Sequence, residues 1–271
     1  MAVFLFWNLN NKPLKDSIVR LAVRYEIDVL IFVEMAIRPE VLLTALNREN
    51  SFPYHYAPGI GCEKIHIFTR FADQLIRPIY EESRLTIRHL TLPAQAKILL
   101  VAVHFPSKLC WTDDSQAAEC GELARAIREA EEQAGHSRTV VVGDLNMNPF
   151  ETGVVSASGL HAVMSRSIAQ KKTRLINDRP YPFFYNPMWS LFGDASPGPP
   201  GTYYYCRAEH KVFFWNMFDQ VLIRPDLLKS FDNNDLKILD SDGNTSFLSS
   251  RGVPNQKSGS DHLPILFKIK L

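Results

Sequence analysis

Short apolar runs alternate along the chain with segments whose apolar residues recur at helical spacing. Residues 3–7 form a buried-type run, and Leu14, Ile18, Leu21, Ala22 and Tyr25 then keep a period near 3.6, predicting a helix over 14–25. Residues 27–33 are β-branched and apolar and end at Glu34. Pro39 is suited to open a second helix, because its missing N–H costs nothing in a first turn. Residues 63–70, 74–80, 84–92 and 97–103 read as consecutive strands divided by short polar breaks. A long amphipathic helix with an acidic outer face is expected over 113–134. Apolar runs at 139–142, 218–223 and 264–269 complete the set. Strands in succession, interleaved with helices, predict two sheets with helices outside them.

Mid-chain there is no Gly/Ser linker and no internal repeat, so one domain is expected over 1–271. An insertion around 181–218 holds 13 of the 30 aromatic residues, and its five prolines exclude regular helix. It reads either as a segment packed by its own rings or as a stacking wall beside a site.

Composition adds little to this picture. The chain has 271 residues, 46% of them hydrophobic and 22% charged, as in an ordinary globular protein. Thirty Lys+Arg against 29 Asp+Glu leave a net charge of +1, which argues against non-specific polyanion binding as the whole task. The local exception is 166–179, where Arg166, Lys171, Lys172, Arg174 and Arg179 face only Asp178. That stretch is either a solvated face or a phosphate-tracking patch. No apolar run reaches the roughly 18 residues of a membrane span. The apolar start lacks a basic leader and reads as a first strand rather than a signal peptide. The four cysteines form no Cys-x-x-Cys pair, so reduced thiols and a cytoplasmic location are expected.

The chemistry lies where the apolar runs stop. Asn8 and Asn10 follow the first run, Glu34 ends the second, and His104 ends the run at 98–103. Asp144 and Asn146 follow the run at 140–143. Asp219 opens a later run, and Asp261-His262 precede the last. Asp and Asn are poor strand formers, and a carboxylate at the edge of a buried run needs a partner, a metal or water. So many polar strand ends predict one shared cleft. Residues two apart in extended chain point the same way, so Asn8 with Asn10 and Asp144 with Asn146 are each expected to present a pair. Hard oxygen donors suit Mg²⁺, and paired histidines and carboxylates suit acid–base work on a phosphate. Neither a Ser-His-Asp arrangement nor a Gly-rich phosphate loop is evident.

At these residues the chain resembles the endonuclease/exonuclease/phosphatase superfamily of deoxyribonuclease-I-like phosphodiesterases. The matching segments are Phe6-Trp7-Asn8, Val33-Glu34, Val103-His104, Gly143-Asp144-Leu145-Asn146, Phe218-Asp219-Gln220-Val221 and Ser260-Asp261-His262-Leu263-Pro264-Ile265, in the family's order. The resemblance implies an α/β fold, a four-layer sandwich of two mixed β-sheets face to face with helices outside. It implies Glu34, with Asn8 and Asp261, as ligands of Mg²⁺, for which Mn²⁺ is a possible substitute. It makes Asp144 the residue that orients or deprotonates the attacking water, with Asn146 beside it. His262, oriented by Asp219, is implied on the scissile phosphate. His104 paired with Glu63 is implied as a leaving-group acid, although the tyrosine the family places two residues before that glutamate is Gly61 here.

The expected function is metal-dependent hydrolysis of a phosphodiester, with nucleic acid as the first substrate. Asn10, Lys171, Lys172, Arg174 and Trp189 are the candidate substrate contacts. The alternatives are a phosphatase or phosphodiesterase on a phospholipid headgroup, inositol phosphate or small nucleotide, and a non-catalytic binding module.

Overall fold

A computed structural model describes residues 1–92 and 95–271. The chain starts with β1 (Ala2–Asn8), α1 (Lys15–Arg24), β2 (Val29–Val33), α2 (Pro39–Glu49), β3 (His55–Ala57) and β4 (Ile65–Thr69). Next come β5 (Ile76–Glu82), β6 (Leu85–Leu90), β7 (Ile98–His104), α3 (Asp113–Ala134) and β8 (Thr139–Asp144). Shorter pieces follow: α4 (Thr152–Val155), β9 (Ala162–Val163), α5 (Arg166–Ala169), β10 (Thr173–Ile176), β11 (Arg179–Pro182) and β12 (Phe184–Tyr185). The last strands are β13 (Tyr203–Tyr204), β14 (Trp215–Asn216), β15 (Asp219–Ile223), β16 (Lys237–Ile238) and β17 (Ile265–Ile269).

One sheet has the strand order β16-β17-β1-β2-β4-β3, the other β5-β6-β7-β8-β15-β12-β9. Both mix parallel with antiparallel pairs: β1–β2 and β7–β8 are parallel, β1–β17 and β8–β15 antiparallel. Alternation along the strands sorts side chains into layers. Phe4, Phe6, Ile31 and Val33 meet Leu100, Ala102, Val140 and Val142 between the sheets. Leu5, Trp7, Leu30 and Phe32 turn outward onto Ile18 and Leu21 of α1 and Leu42 and Leu46 of α2. Leu99, Val101 and Val141 turn outward onto Cys120, Leu123 and Ile127 of α3. The central strands carry apolar residues at every position because both of their faces are covered.

The predicted elements are present with ends shifted by a residue or two. Thr112 caps α3 by accepting from the Ser115 N–H, and Gly135 closes it at φ 69°, a left-handed turn suited to glycine. The segment 181–218 consists of short strands and a 3₁₀ turn, Pro187–Leu191.

At one glycine, close approach dictates the residue. Gly143 pairs with Val103 in the β7–β8 ladder. A Cβ there would lie 2.8 Å from both the carbonyl carbon and Cγ1 of Val103, and nearer still to the carbonyl oxygen. Glycine lets β8 lie flat against β7 one residue before Asp144.

Candidate active site

Strand register brings the polar ends together. In the parallel β1–β2 pair Asn8 lies opposite Val33, so Glu34 follows beside it. In the parallel β7–β8 pair His104 lies opposite Asp144. The antiparallel β8–β15 pair sets Asp144 opposite Asp219. His262 precedes β17 and is fixed by its backbone. Its carbonyl accepts from the Trp7 indole N–H at 2.8 Å, and its N–H donates to Ser260 Oγ at 3.2 Å. The result is a cavity of about 890 Å³ at one end of the sandwich, bordered by residues from both sheets.

On its floor His262 lies between two carboxylates. Nδ1 is 2.8 Å from Asp219 Oδ2, and Nε2 is 3.9 Å from Asp144 Oδ2. All three side chains are buried. Burial alone would lower the imidazole pKa, but Asp219 and Asp144 outweigh it and push His262 up to about 10. His262 is therefore a cation at neutral pH. Burial pushes the Asp144 carboxyl up, against the opposing pull of His262. Asp144, Asp219 and His262 are also close enough together to hold a metal ion.

Across the floor, Glu34 Oε1 is 3.3 Å from His104 Nε2 and 3.3 Å from Asn8 Nδ2. Asn8 Nδ2 also donates to Asp144 Oδ2 at 3.0 Å, so one amide links the two sheets. The His104 contact, with Asn8, holds the Glu34 carboxyl below the usual range against partial burial. Glu34 has φ 49°, an uncommon conformation for a residue with a long side chain. Backbone strain of that kind concentrates at functional sites. Glu34, Asn8 and Asp261 all border the cavity. Seven carboxylates line it against Arg84, Lys108, Arg207 and Lys211. A hard-oxygen set within an acidic lining fits a divalent cation.

Several sequence expectations need correction. Glu63 does not meet His104: β4 begins only at Ile65, Glu63 lies exposed before it, and Glu34 takes the histidine. Asn10 does not share a face with Asn8, because β1 ends at Asn8 and Asn10 turns to φ 45°. Its backbone N–H instead donates to Asn8 Oδ1 at 3.0 Å, and its side chain is not on the cavity wall. Asn146, at φ 50°, makes the same turn over Asp144 Oδ1, but its side chain stays on the cavity and donates to the Phe105 carbonyl.

Lys171, Lys172 and Arg174 are at the opposite end of the second sheet. Lys172 pairs with Asp226, which also accepts from Ser137 Oγ. Ser137 precedes β8 and Asp226 follows β15, so both are at the strand ends away from Asp144 and Asp219. Five residues of β15 separate the two ends by about 13 Å at 3.3 Å per residue. Arg166 is a packing residue, its guanidinium bonded to the Leu228 and Phe231 carbonyls. Trp189 stands behind the cavity wall, with its ring 6.3 Å from that of Phe150.

Of the two walls, the 181–218 insertion was read as a candidate stacking wall, and its arm 203–213 does border the cavity; the loop bearing Lys108 and Trp111 was not anticipated. Tyr203, Tyr205, Arg207, Glu209 and Lys211 all face the cavity, and that period of two was a readable signal. Lys108 is tied to Asp113, Gln116 and Glu151, so its charge is already matched.

Compared with known proteins, no family model matches the sequence and no curated protein sequence matches it. Solved structures do match. The AP endonuclease from Archaeoglobus fulgidus aligns over 100% of both chains, with TM-score 0.57 and 14% identity. An endonuclease/exonuclease/phosphatase family protein from Leptotrichia buccalis C-1013-b gives the same coverage and TM-score at 15% identity. Truncated Caenorhabditis elegans TDP2 aligns over 100% of this chain and 97% of its own, at TM-score 0.55 and 16% identity. The chain has the endonuclease/exonuclease/phosphatase fold. Within that fold the cavity lies between the two sheets' strand ends, and the six motif segments contribute to it. Among the described residues no helix is long and apolar enough to cross a membrane.

Proposed function

We propose that this chain is a metal-dependent phosphodiester hydrolase acting on nucleic acid by in-line attack of water. The observation that carries this reading is the buried chain Asp219–His262–Asp144, facing Glu34, Asn8 and His104 across one cavity. Asp144 is the group that accepts the proton of the attacking water, and burial, by pushing its carboxyl up, makes it a stronger base than an exposed carboxylate. His262, held as a cation by Asp219, donates from Nε2 to a phosphate oxygen and offsets the charge that grows there. Asn146 lines the cavity beside Asp144, and its N–H on Asp144 Oδ1 fixes the orientation of that carboxylate. Glu34, Asn8 and Asp261 would hold a divalent cation, with Mg²⁺ the best fit to hard oxygen donors. When bound, the cation supplies Lewis-acid stabilisation of the phosphate. Nucleic acid as substrate is supported by the matched structures, which include an AP endonuclease and the endonuclease domain of a telomere-specific retrotransposon. Within this reading residues 1–271 act as a single catalytic domain. A small phosphoester is the second reading, favoured by the surplus of carboxylates lining the cavity.

The test is hydrolysis of single-stranded DNA, double-stranded DNA, RNA and inositol phosphates with Mg²⁺ or Mn²⁺, and after EDTA. Activity that EDTA abolishes and Mg²⁺ restores is expected, together with a fall of about 10²–10⁴-fold in kcat for Asp144→Asn. Full activity in EDTA, or a loss below tenfold in folded Asp144→Asn, overturns the mechanism.

A further inference from the structure

The cavity wall carries an aromatic patch that the hydrolytic chemistry does not use. Phe150 follows the Asp144–Asn146 turn, and Phe213 ends the arm 203–213; both border the cavity. They are 37% and 48% exposed, which is costly for rings beside a polar floor unless something covers them. Their centroids are 5.2 Å apart. Phe150 is backed by Trp189 at 6.3 Å and by Phe192 at 6.1 Å, so one ring is buttressed from a distant turn of the chain, residues 187–192. This support orders the patch before any ligand arrives, and the cost of fixing loose side chains on binding is reduced. Lys211 Nζ lies 5.6 Å from the centre of the Phe213 ring, so an ammonium stands beside an apolar platform.

The charge lining narrows what can rest there. A duplex held by its backbone needs a row of free cations. Here Lys108 is already committed to carboxylates and His262 sits on the floor between Asp219 and Asp144, which leaves Arg84, Arg207 and Lys211 among the lining cations. A flat ring with one phosphate nearby suits this wall better than a track of phosphates. Stacking is also indifferent to sequence, since every base has a π-face.

We propose that Phe150 and Phe213 form a stacking shelf for an unpaired nucleobase of the strand that carries the scissile phosphate, with Lys211 beside that base's phosphate. This rests on the phosphodiesterase reading and narrows its substrate to single-stranded or frayed ends. The shelf acts on binding, so its effect falls on Kd and KM.

The experiment compares binding of fluorescein-labelled oligothymidylate with an abasic single strand of the same length in EDTA, so that charge is matched and only the bases differ. A stacked base contributes about 1–3 kcal/mol, or about five- to 150-fold in Kd. Wild type should prefer oligothymidylate by a ratio in that range. Phe213→Leu, which keeps an apolar side chain, should bring the ratio close to one, and Phe213→Tyr should retain it. An unchanged ratio in folded Phe213→Leu, or equal affinity of wild type for both strands, overturns the shelf. The underlying reading fails separately, if wild type with Mg²⁺ or Mn²⁺ cleaves no phosphodiester at all.

Discussion

Gly143→Ala tests how far the backbone, apart from any catalytic side chain, sets the site. The added Cβ would sit 2.8 Å from the Val103 carbonyl carbon, where ordinary contact begins at 3.4 Å. The carbonyl oxygen is closer still, so β7 and β8 would have to part by more than about 1 Å, taking ladder bonds of about 2.9 Å to roughly 4 Å, past a useful hydrogen bond. Two such bonds at about 1 kcal/mol each, with overpacking of about 1–3 kcal/mol in a closed core, give a loss of about 3–5 kcal/mol. The same parting moves Asp144, the next residue, relative to His104 opposite it. A displacement approaching 1 Å can cost on the order of 10²-fold in rate. Guanidinium unfolding should show the midpoint falling with m unchanged, and kcat should fall by at least tenfold where the variant is still folded. A variant with the wild-type midpoint and kcat within threefold would show that β8 relaxes freely and that the close approach does not constrain Asp144.

Three further outcomes follow from the geometry. His262 is raised from its ordinary 6.5 to about 10, so its stabilising contribution is complete below about pH 6.5 and is lost as pH rises through 10. Unfolding midpoints from pH 6.5 to 10.5 should therefore drop more in wild type than in His262→Gln, and parallel curves would refute the ion pairing. Changing Lys171, Lys172 and Arg174 together to Ala should leave the salt dependence of KM for a polynucleotide unaltered, because the hairpin is at the far end of β15; a slope flattened by two or three units would return it to the binding track. Glu63→Gln should leave kcat unaltered, while Glu34→Gln lowers it by tenfold or more, and the reverse order would reinstate Glu63 as the partner of His104.

The fold was legible because a two-faced sheet demands uninterrupted apolar strands. Against that background Asn8, Glu34, His104 and Asp144 stood out as polar ends. Errors arose where the argument used local sequence for a long-range question. The positive charge of 166–179 is real, but charge density does not say at which end of a strand a hairpin lies. Asn10 failed because extended alternation was carried two residues past the end of β1 into a left-handed turn. Glu63 was assigned by register in a strand that starts at Ile65. The loop at 108–111 went unassigned because loops have no obligatory period, and the insertion 181–218 was legible as a wall without its individual lining residues, although the alternation from Tyr203 to Lys211 was present. Trp189 was one ring of an aromatic-rich segment, and its position behind Phe150 depends on contacts between distant segments.

The Asn8 amide, bonded to Glu34 from the first sheet and to Asp144 from the second, makes the site a seam between two halves of the molecule. Any shear of one sheet over the other has to break that seam before it disturbs the broad apolar layer beneath, which tolerates small slips. On the proposed function, turnover is accordingly a finer gauge of sandwich alignment than spectroscopy. Under mild denaturant or pressure, turnover should fade while the circular dichroism of both sheets is still intact.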